Sequence, residues 1–441
     1  MWLIWTYLRT ASAGIEASLA RRPMARRKGA SPGGTISYLR PDVILVIRSG
    51  VQCFSAILEK SAGLPGWGGW VILEVFEPLD INQDLVRALP EVARSAFGYQ
   101  SAGDAARIAR AVQQISDFYI SRPTGKTPYE LPGAPAAYLL YYTLLNHVRC
   151  AAVFAEARDL GFFHGINRFV DWGSGMGAAW LAVRHVAGDL FSSSFALDRS
   201  SRALDTQIAL RRALSWEGKS HDVSVDEKNL RAFLGDGPAR GTMAVFSYSL
   251  TELDRLPDWV LDQESIAIIE PGTNQDGRRL LAIRADLIAA GYKIWAPCTH
   301  QGACPLLSHS KTDWCHNRVE WSQPDFYQAI EAHLPMKHRT LVYSYLLARK
   351  SIVPPRALSG LARLTGDQMR QKGQTRQMVC RGSEREFLSW QHRHGEAPEF
   401  RRGELVRIPG EAVTKGTDIR VTPDGEAAVV RAKAHFQQNP D

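Results

Sequence analysis

An aspartate followed by three closely spaced glycines, Asp171-Trp172-Gly173-Ser174-Gly175-Met176-Gly177, is the first part of this chain whose residue types and spacing point to chemistry. Glycine accepts backbone angles that side chains resist and lets a ligand approach the main chain. The run before it, 166–172, reads as a short buried strand, and AAWLAVRHVA after it reads as a helix. The loop therefore sits at a strand end and opens a helix. In a dinucleotide fold that helix start would face a pyrophosphate. The acid ahead of the loop, Asp171, suits an ammonium or amide better. Asp198 closes the next strand 21 residues past Gly177, where a carboxylate accepts both hydroxyls of a ribose. Asp171, Gly173, Ser174, Gly175, Gly177 and Asp198 together read as an S-adenosylmethionine pocket, the loop against the methionine part and Asp198 on the ribose. A nicotinamide or flavin dehydrogenase is the competing reading.

The segment SYSLTEL (247–253) falls at a later strand tip, where this architecture presents groups to a substrate. It is not the Asn/Asp-Pro-Pro-aromatic tetrad that holds an exocyclic amine in many base N-methyltransferases. Tyr248 and Glu252 are its candidate substrate-facing groups, and Glu252 would serve equally as a helix cap. No acid–base pair or nucleophile stands out, so binding has a stronger case than catalysis.

Of six cysteines, four lie past residue 297: Cys298, Cys304, Cys315 and Cys380. A disulfide scaffold would be denser and shorter, so a reduced compartment and a metal site fit better. Four thiolates complete either tetrahedral zinc or a 4Fe–4S cluster. Zinc knuckles bring two cysteines close in sequence, and none occurs here. The wider loops favour the bulkier cluster, and Cys304-Pro305 repeats a dipeptide of ferredoxin-type ligation. Zinc, with His300, His309 or His316 as substitute ligands, and no metal at all are the alternatives. The clustering argues against a cytosine-C5 nucleophile at Pro297-Cys298 or Cys304-Pro305. Cys53 and Cys150 lie in apolar surroundings and are expected to be buried thiols.

The elements that must position these residues alternate. Strand-like runs at 166–172, 193–199, 221–225, 241–250, 265–272 and 292–298 are separated mainly by helical patterns, which indicates a parallel, doubly wound α/β sheet. The run 341–350 reads as its last strand. Five spans follow: a basic, disordered arm or transit peptide over 1–40; a mainly helical N-terminal region over 41–130, with two unassigned apolar runs before residue 80; a Rossmann-like domain over 131–297; a cluster segment over 298–385; and a basic β-rich appendix over 386–441. The apolar stretch 136–155 contains Asn146, His147 and Arg149 and reads as a buried helix, and no apolar run is long enough to imply a membrane protein. Net charge is +8 in 441 residues. Residues 1–40 hold seven basic side chains against one acid, and 337–441 hold nineteen against eleven, so the centre is acidic. Basic ends suit a polyanion.

DWGSGMGAAW (171–180), SYSLTEL (247–253), IIEPGT (268–273), APCTHQGACPL (296–306), DWCHNRVEW (313–321), YSYLLARK (343–350) and Cys380 occur in the order of a known family. Over roughly 130–385 the chain resembles the methyltransferase-like family of small-ribosomal-subunit proteins, the mitochondrial Rsm type and its bacterial relatives. The resemblance implies a class I S-adenosylmethionine methyltransferase fold and an assembly factor that contacts ribosomal RNA. It also implies a 4Fe–4S cluster on Cys298, Cys304, Cys315 and Cys380. A monomer is expected, in the cytoplasm of a bacterium or the mitochondrion of a eukaryote. The competing functions are a non-catalytic assembly protein with a vestigial pocket and a small-molecule methyltransferase. The sequence departs from the family at Thr299, where proline is commoner, and over 41–80.

Overall fold

The computed structural model describes residues 35–40, 43–50, 53–60, 71–76, 78–100, 102–121, 128–129, 131–216, 220–235, 239–350, 358 and 360–432. The chain divides into two units, Met1–Pro78 and Leu79–Asp441. In the first, strands β1 (Thr35–Arg40), β2 (Val43–Gly50), β3 (Cys53–Lys60) and β4 (Val71–Phe76) form an antiparallel meander. The apolar runs before residue 80 are thus strands, rich in Val and Ile that suit a pleated surface. The helical expectation for 41–130 applies only from Gln83 onward. The arm expected over 1–40 lies outside the described residues except at β1.

In the second unit, α1 (Gln83–Phe97) is capped by the Asn82 side chain, which accepts the Asp84 N–H, and ends at left-handed Gly98. α2 (Ala105–Ser121) follows. A π-helical turn at Tyr138–Tyr142 leads into α3 (Thr143–Asp159), in which Leu144, Val148, Cys150 and Phe154 have no exposed surface. A helix apolar on nearly every side is a core helix, and α3 packs against the sheet domain through α4 (Ala178–Ala187).

The sheet domain then alternates β5 (Arg168–Trp172), α4, β6 (Ser193–Leu197), α5 (Ser201–Ala213), β7 (Ser220–Ser224), α6 (Glu227–Leu234), β8 (Ala239–Ser247), β9 (Gln263–Pro271), α7 (Asn274–Ala289) and β10 (Lys293–Ala296). β11 (Asn317–Glu320) and β12 (Thr340–Arg349) complete it. The strand order is β10-β12-β9-β8-β5-β6-β7, with β11 paired to β12. β5 through β9 pair in parallel, while β12 runs antiparallel between β9 and β10. The order reverses at β5, so the crevice beyond the carboxyl ends of β5 and its neighbours is the expected ligand position. A doubly wound sheet whose last strand, β12, inserts antiparallel between β9 and β10 is the Rossmann-like class I methyltransferase architecture.

A second sheet contains β13 (Ala362–Gln371), β14 (Gln374–Cys380), β15 (Glu386–Gln391), β16 (Leu405–Arg407), β17 (Val413–Lys415), β18 (Asp418–Val421) and β19 (Val430–Ala432). It starts at Ala362, not at 386, so Cys380 belongs to it through the β13–β14 pairing, in which the strand-like run RQMVCR forms most of β14. Its core is Leu364, Val379, Leu388, Trp390, Val406 and Ile419. Among the described residues no helix is long and apolar enough to cross a membrane.

Candidate functional site

The glycine loop leaves β5 at the switch point. Gly173, Gly175 and Gly177 have φ of +68°, +52° and +89°, angles an L side chain resists. A Cβ on Gly173 would lie 2.5 Å from Ser249 Cβ, and one on Gly177 would lie 2.8 Å from Gln207 Cγ. Gly175 has nothing within 4 Å of that position, so its side of the loop is open. Loop and β6 are stapled together, because the N–H groups of Gly173 and Ser174 both donate to Leu197 O, at 2.8 and 3.0 Å. Below the loop, His221 Nε2 lies 2.7 Å from Gln207 Oε1, and its Nδ1 lies 2.6 Å from Ser194 Oγ. Burial lowers the His221 pKa to about 3. The ring is therefore neutral, with Nε2–H donating to Gln207 and Nδ1 accepting from Ser194.

The six residues singled out in the sequence lie at the end of β5, on the glycine loop and just past β6. Asp198 Oδ2 accepts the Gly175 N–H at 2.8 Å, and Oδ1 accepts the Ser200 N–H at 2.8 Å. Burial raises its pKa against those two bonds. Asp171 is 1% exposed, and neither carboxylate oxygen has a hydrogen-bond partner. Burial, reinforced by Asp198, raises its pKa to about 8. Ser174 Oγ and Ser249 Oγ are also buried without partners. Unpaired buried polar atoms are costly, and these lie on or beside the glycine loop.

Tyr248 has φ of +57°, one of two non-glycine residues in that region among the described residues. Its N–H donates to Ile269 O at 2.8 Å, and the Arg149 guanidinium lies 5.0 Å from its ring centroid. Strained backbone of this kind clusters at functional sites. Glu252, in a short 3₁₀ turn, pairs with Arg199. Three contributors escaped the sequence reading. Glu270, at the end of β9, is buried; its Oε1 accepts the Leu250 N–H at 3.0 Å while Oε2 has no partner. Burial raises its pKa to about 8. Arg149 and Cys150 come from α3, and Cys150 Sγ lies 3.2 Å from Ser247 Oγ. Glu270 lies in IIEPGT (268–273), quoted above for the resemblance alone, and its local signal is an acid ending the apolar run SIAIIE.

The four late cysteines come from four places: Cys298 just after β10, Cys304 at the start of a short helical turn, Cys315 before β11, and Cys380 at the end of β14. Burial raises the Cys315 pKa to about 12, with Cys298 and Cys304 adding to it. Burial also raises that of Cys380, and the other three reinforce the shift. The Thr299 hydroxyl donates to Cys380 O at 3.2 Å, which sets the end of β14 beside the Cys298 loop. Arg284 Nε–H donates to Cys298 Sγ at 3.1 Å, and His300 Nε2 lies 3.4 Å from Cys380 Sγ. Among the described residues no three His, Cys, Asp or Glu side chains form a group that could hold a single metal ion. Cys150 is buried as expected, while the side chain of Cys53 lies outside the described residues.

A family model described as mitochondrial small ribosomal subunit Rsm22 matches residues 137–402. No curated protein matches the chain. Solved structures similar to it include an rRNA methylase from Streptococcus thermophilus, 15% identical, with a TM-score of 0.26, covering 47% of this chain and 94% of that one. TrmK of M. capricolum in complex with S-adenosyl-homocysteine is 10% identical, with a TM-score of 0.25, covering 45% and 68%. A SAM-dependent methyltransferase from Thiobacillus denitrificans in complex with S-adenosyl-L-homocysteine is 13% identical, with a TM-score of 0.27, covering 45% and 90%.

Proposed function

Because the chain belongs to the family of the mitochondrial small-ribosomal-subunit protein Rsm22, we propose that it is an S-adenosylmethionine-binding, rRNA-contacting factor of small-subunit assembly. The observation that carries the ligand reading is Asp171, a buried carboxylate without a partner beside three left-handed glycines. An ammonium group would pair it, which a pyrophosphate would not. Asp198 receives the ribose hydroxyls through lone pairs its two N–H donors leave free. Ser174 and Ser249 supply hydroxyls to the same crevice. Bound S-adenosylmethionine supplies an electrophilic methyl group. The residues of this chain orient and desolvate that ligand, which is the larger part of catalysis by positioning. Tyr248, held by strained backbone and Arg149, is the substrate-facing candidate, while Glu252 is engaged by Arg199.

Cys298, Cys304, Cys315 and Cys380 are the proposed ligands of a 4Fe–4S cluster. The support is the contact between the Cys298 and Cys380 segments through Thr299, with Arg284 Nε–H donating to Cys298 Sγ and His300 Nε2 3.4 Å from Cys380 Sγ. Joining β10, β11 and β14, the cluster would fasten the C-terminal sheet to the Rossmann-like sheet.

Titration calorimetry with S-adenosylmethionine tests the pocket: absence of binding favours a non-catalytic assembly protein. Anaerobic purification with iron and sulfide assays tests the cluster, and colourless, metal-free protein rejects it. Co-sedimentation with small ribosomal subunits separates an assembly factor from a small-molecule methyltransferase.

A further inference from the structure

The C-terminal sheet has a topology that the pocket and cysteines do not explain. β13, β14 and β15 form an antiparallel meander. β16 returns to the other edge of β13, antiparallel, and β18 lies parallel to β15. Numbered along the chain, a first strand is flanked by the second and fourth, and the sixth, β18, with the short β17 hairpinned to it, lies parallel to the third; with β17 set aside as an added edge strand, this is the Greek-key order of a partly open OB-fold. That order requires a first strand that bends to serve two edges. β13 does so through a bulge: Leu364 pairs with Val379, but Gln368 pairs with Gln377, with Gly366 between. A Cβ on Gly366 would lie 2.8 Å from Met378 Cβ.

The interior is filled by Leu364, Val379, Leu388, Trp390 and Ile419, so a ligand must use the outer face. One cross-strand row there runs Arg420, Ser389, Arg376, Met369; Ser389 is fully buried and Arg376 lies over the Phe387 ring, so the accessible ends of the row are Arg420 and Met369. Arg420 is exposed, and Met369 is 40% exposed. The next row holds Gln391, Gln374 and Gln371, in which Gln391 Nε2–H donates to Gln374 Oε1 at 2.9 Å and Gln374 Nε2–H donates to Gln371 Oε1 at 3.3 Å. Exposed Lys372 and Arg393 flank that end. The acid on the face, Asp418, is engaged by Arg376. The opposite end is closed, because Arg363 pairs with Glu156 of α3 and Cys380 is buried.

From these observations we infer that the outer face of β14, β15 and β18 is a binding strip for single-stranded RNA. Lys372 and Arg393 meet phosphates, and the Arg420 guanidinium plane and the Met369 thioether meet base faces. A narrow strip on the strands of an OB-fold engages unstacked bases, which a duplex hides. This inference rests on the RNA-contacting reading above and assigns it a surface.

The test uses the full chain and fluorescence anisotropy with labelled oligouridine and with an RNA hairpin duplex, over a salt series. The wild-type chain should favour the single strand. The double variant Arg420→Glu/Lys372→Glu should lose about tenfold or more in affinity, with a salt dependence shallower by about one unit per lost phosphate contact. Arg420→Lys should keep most of the binding. Unchanged affinity in the double variant, or preference for the duplex, overturns the strip while leaving RNA contact elsewhere. No RNA binding by the wild-type chain at low salt removes the RNA reading as well. If the double variant melts early, photocrosslinking of 4-thiouridine RNA to the wild-type chain decides. Crosslinked peptides from β14, β15 or β18 support the strip, and crosslinks confined elsewhere overturn it.

Discussion

Replacing Asp171 by Asn should stabilise the ligand-free protein while weakening its hold on S-adenosylmethionine. Burial, then Asp198, raises the Asp171 pKa from 3.8 to about 8. The folded state therefore binds a proton that the unfolded chain has released between those two values. Stability falls by about 1.4 kcal/mol per pH unit as pH rises from the unfolded to the folded pKa, and levels off above it. At pH 7 the accumulated cost is on the order of 4 kcal/mol, a large share of a typical total of roughly 5–15 kcal/mol. Asparagine keeps the shape and removes the titration. Glu270 has its pKa raised like Asp171, and His147 and His221 have theirs lowered by burial to about 3. These groups titrate in both proteins, so the informative quantity is the difference between variant and wild type. Urea unfolding at pH 5, 6, 7 and 8 without ligand should show that difference widening with pH in favour of the variant. Calorimetry should show weaker S-adenosylmethionine binding. A gap that stays constant with pH, or undiminished affinity, would refute the assignment of Asp171 as a desolvated carboxylate kept for a cationic ligand.

Gly177→Ala must hold a β-carbon at φ of +89° against Gln207; thermal melting should show a loss of about 1–3 kcal/mol together with weaker cofactor binding. Cys315→Ser should lower iron content and melting temperature in anaerobically purified protein, and unchanged values for both would count against a cluster that joins the two sheets. Trp390→Ala, which empties a fully buried site in the C-terminal sheet, should cost about 3–5 kcal/mol and expose β13–β15 amides to hydrogen exchange before those of β5–β9. Association with small ribosomal subunits should weaken steeply between low and moderate salt, since phosphate contacts release counterions; a flat profile in co-sedimentation would argue against electrostatic RNA contact.

What the sequence determined by itself was local. Glycines that must take left-handed angles, an acid at the end of the next strand and the alternation of strand and helix are short-range patterns set by backbone sterics and by which face of an element is buried. They place Asp171, the glycine loop, Asp198 and the parallel sheet. Tertiary structure decided what depends on distant partners. β12 folds back between β9 and β10, pairing Leu346 with Ile268, and nothing in YSYLLARK specifies that neighbour. Cys380 comes beside the Cys298 loop only because β14 lies in the interior of the C-terminal sheet, where the Thr299 hydroxyl reaches Cys380 O. Arg149, Cys150 and Glu270 look like interruptions in apolar runs until α3 and β9 bring them beside Tyr248. Pairings of this kind depend on loop closure and on burial summed over the whole core, quantities that no window of neighbouring residues contains.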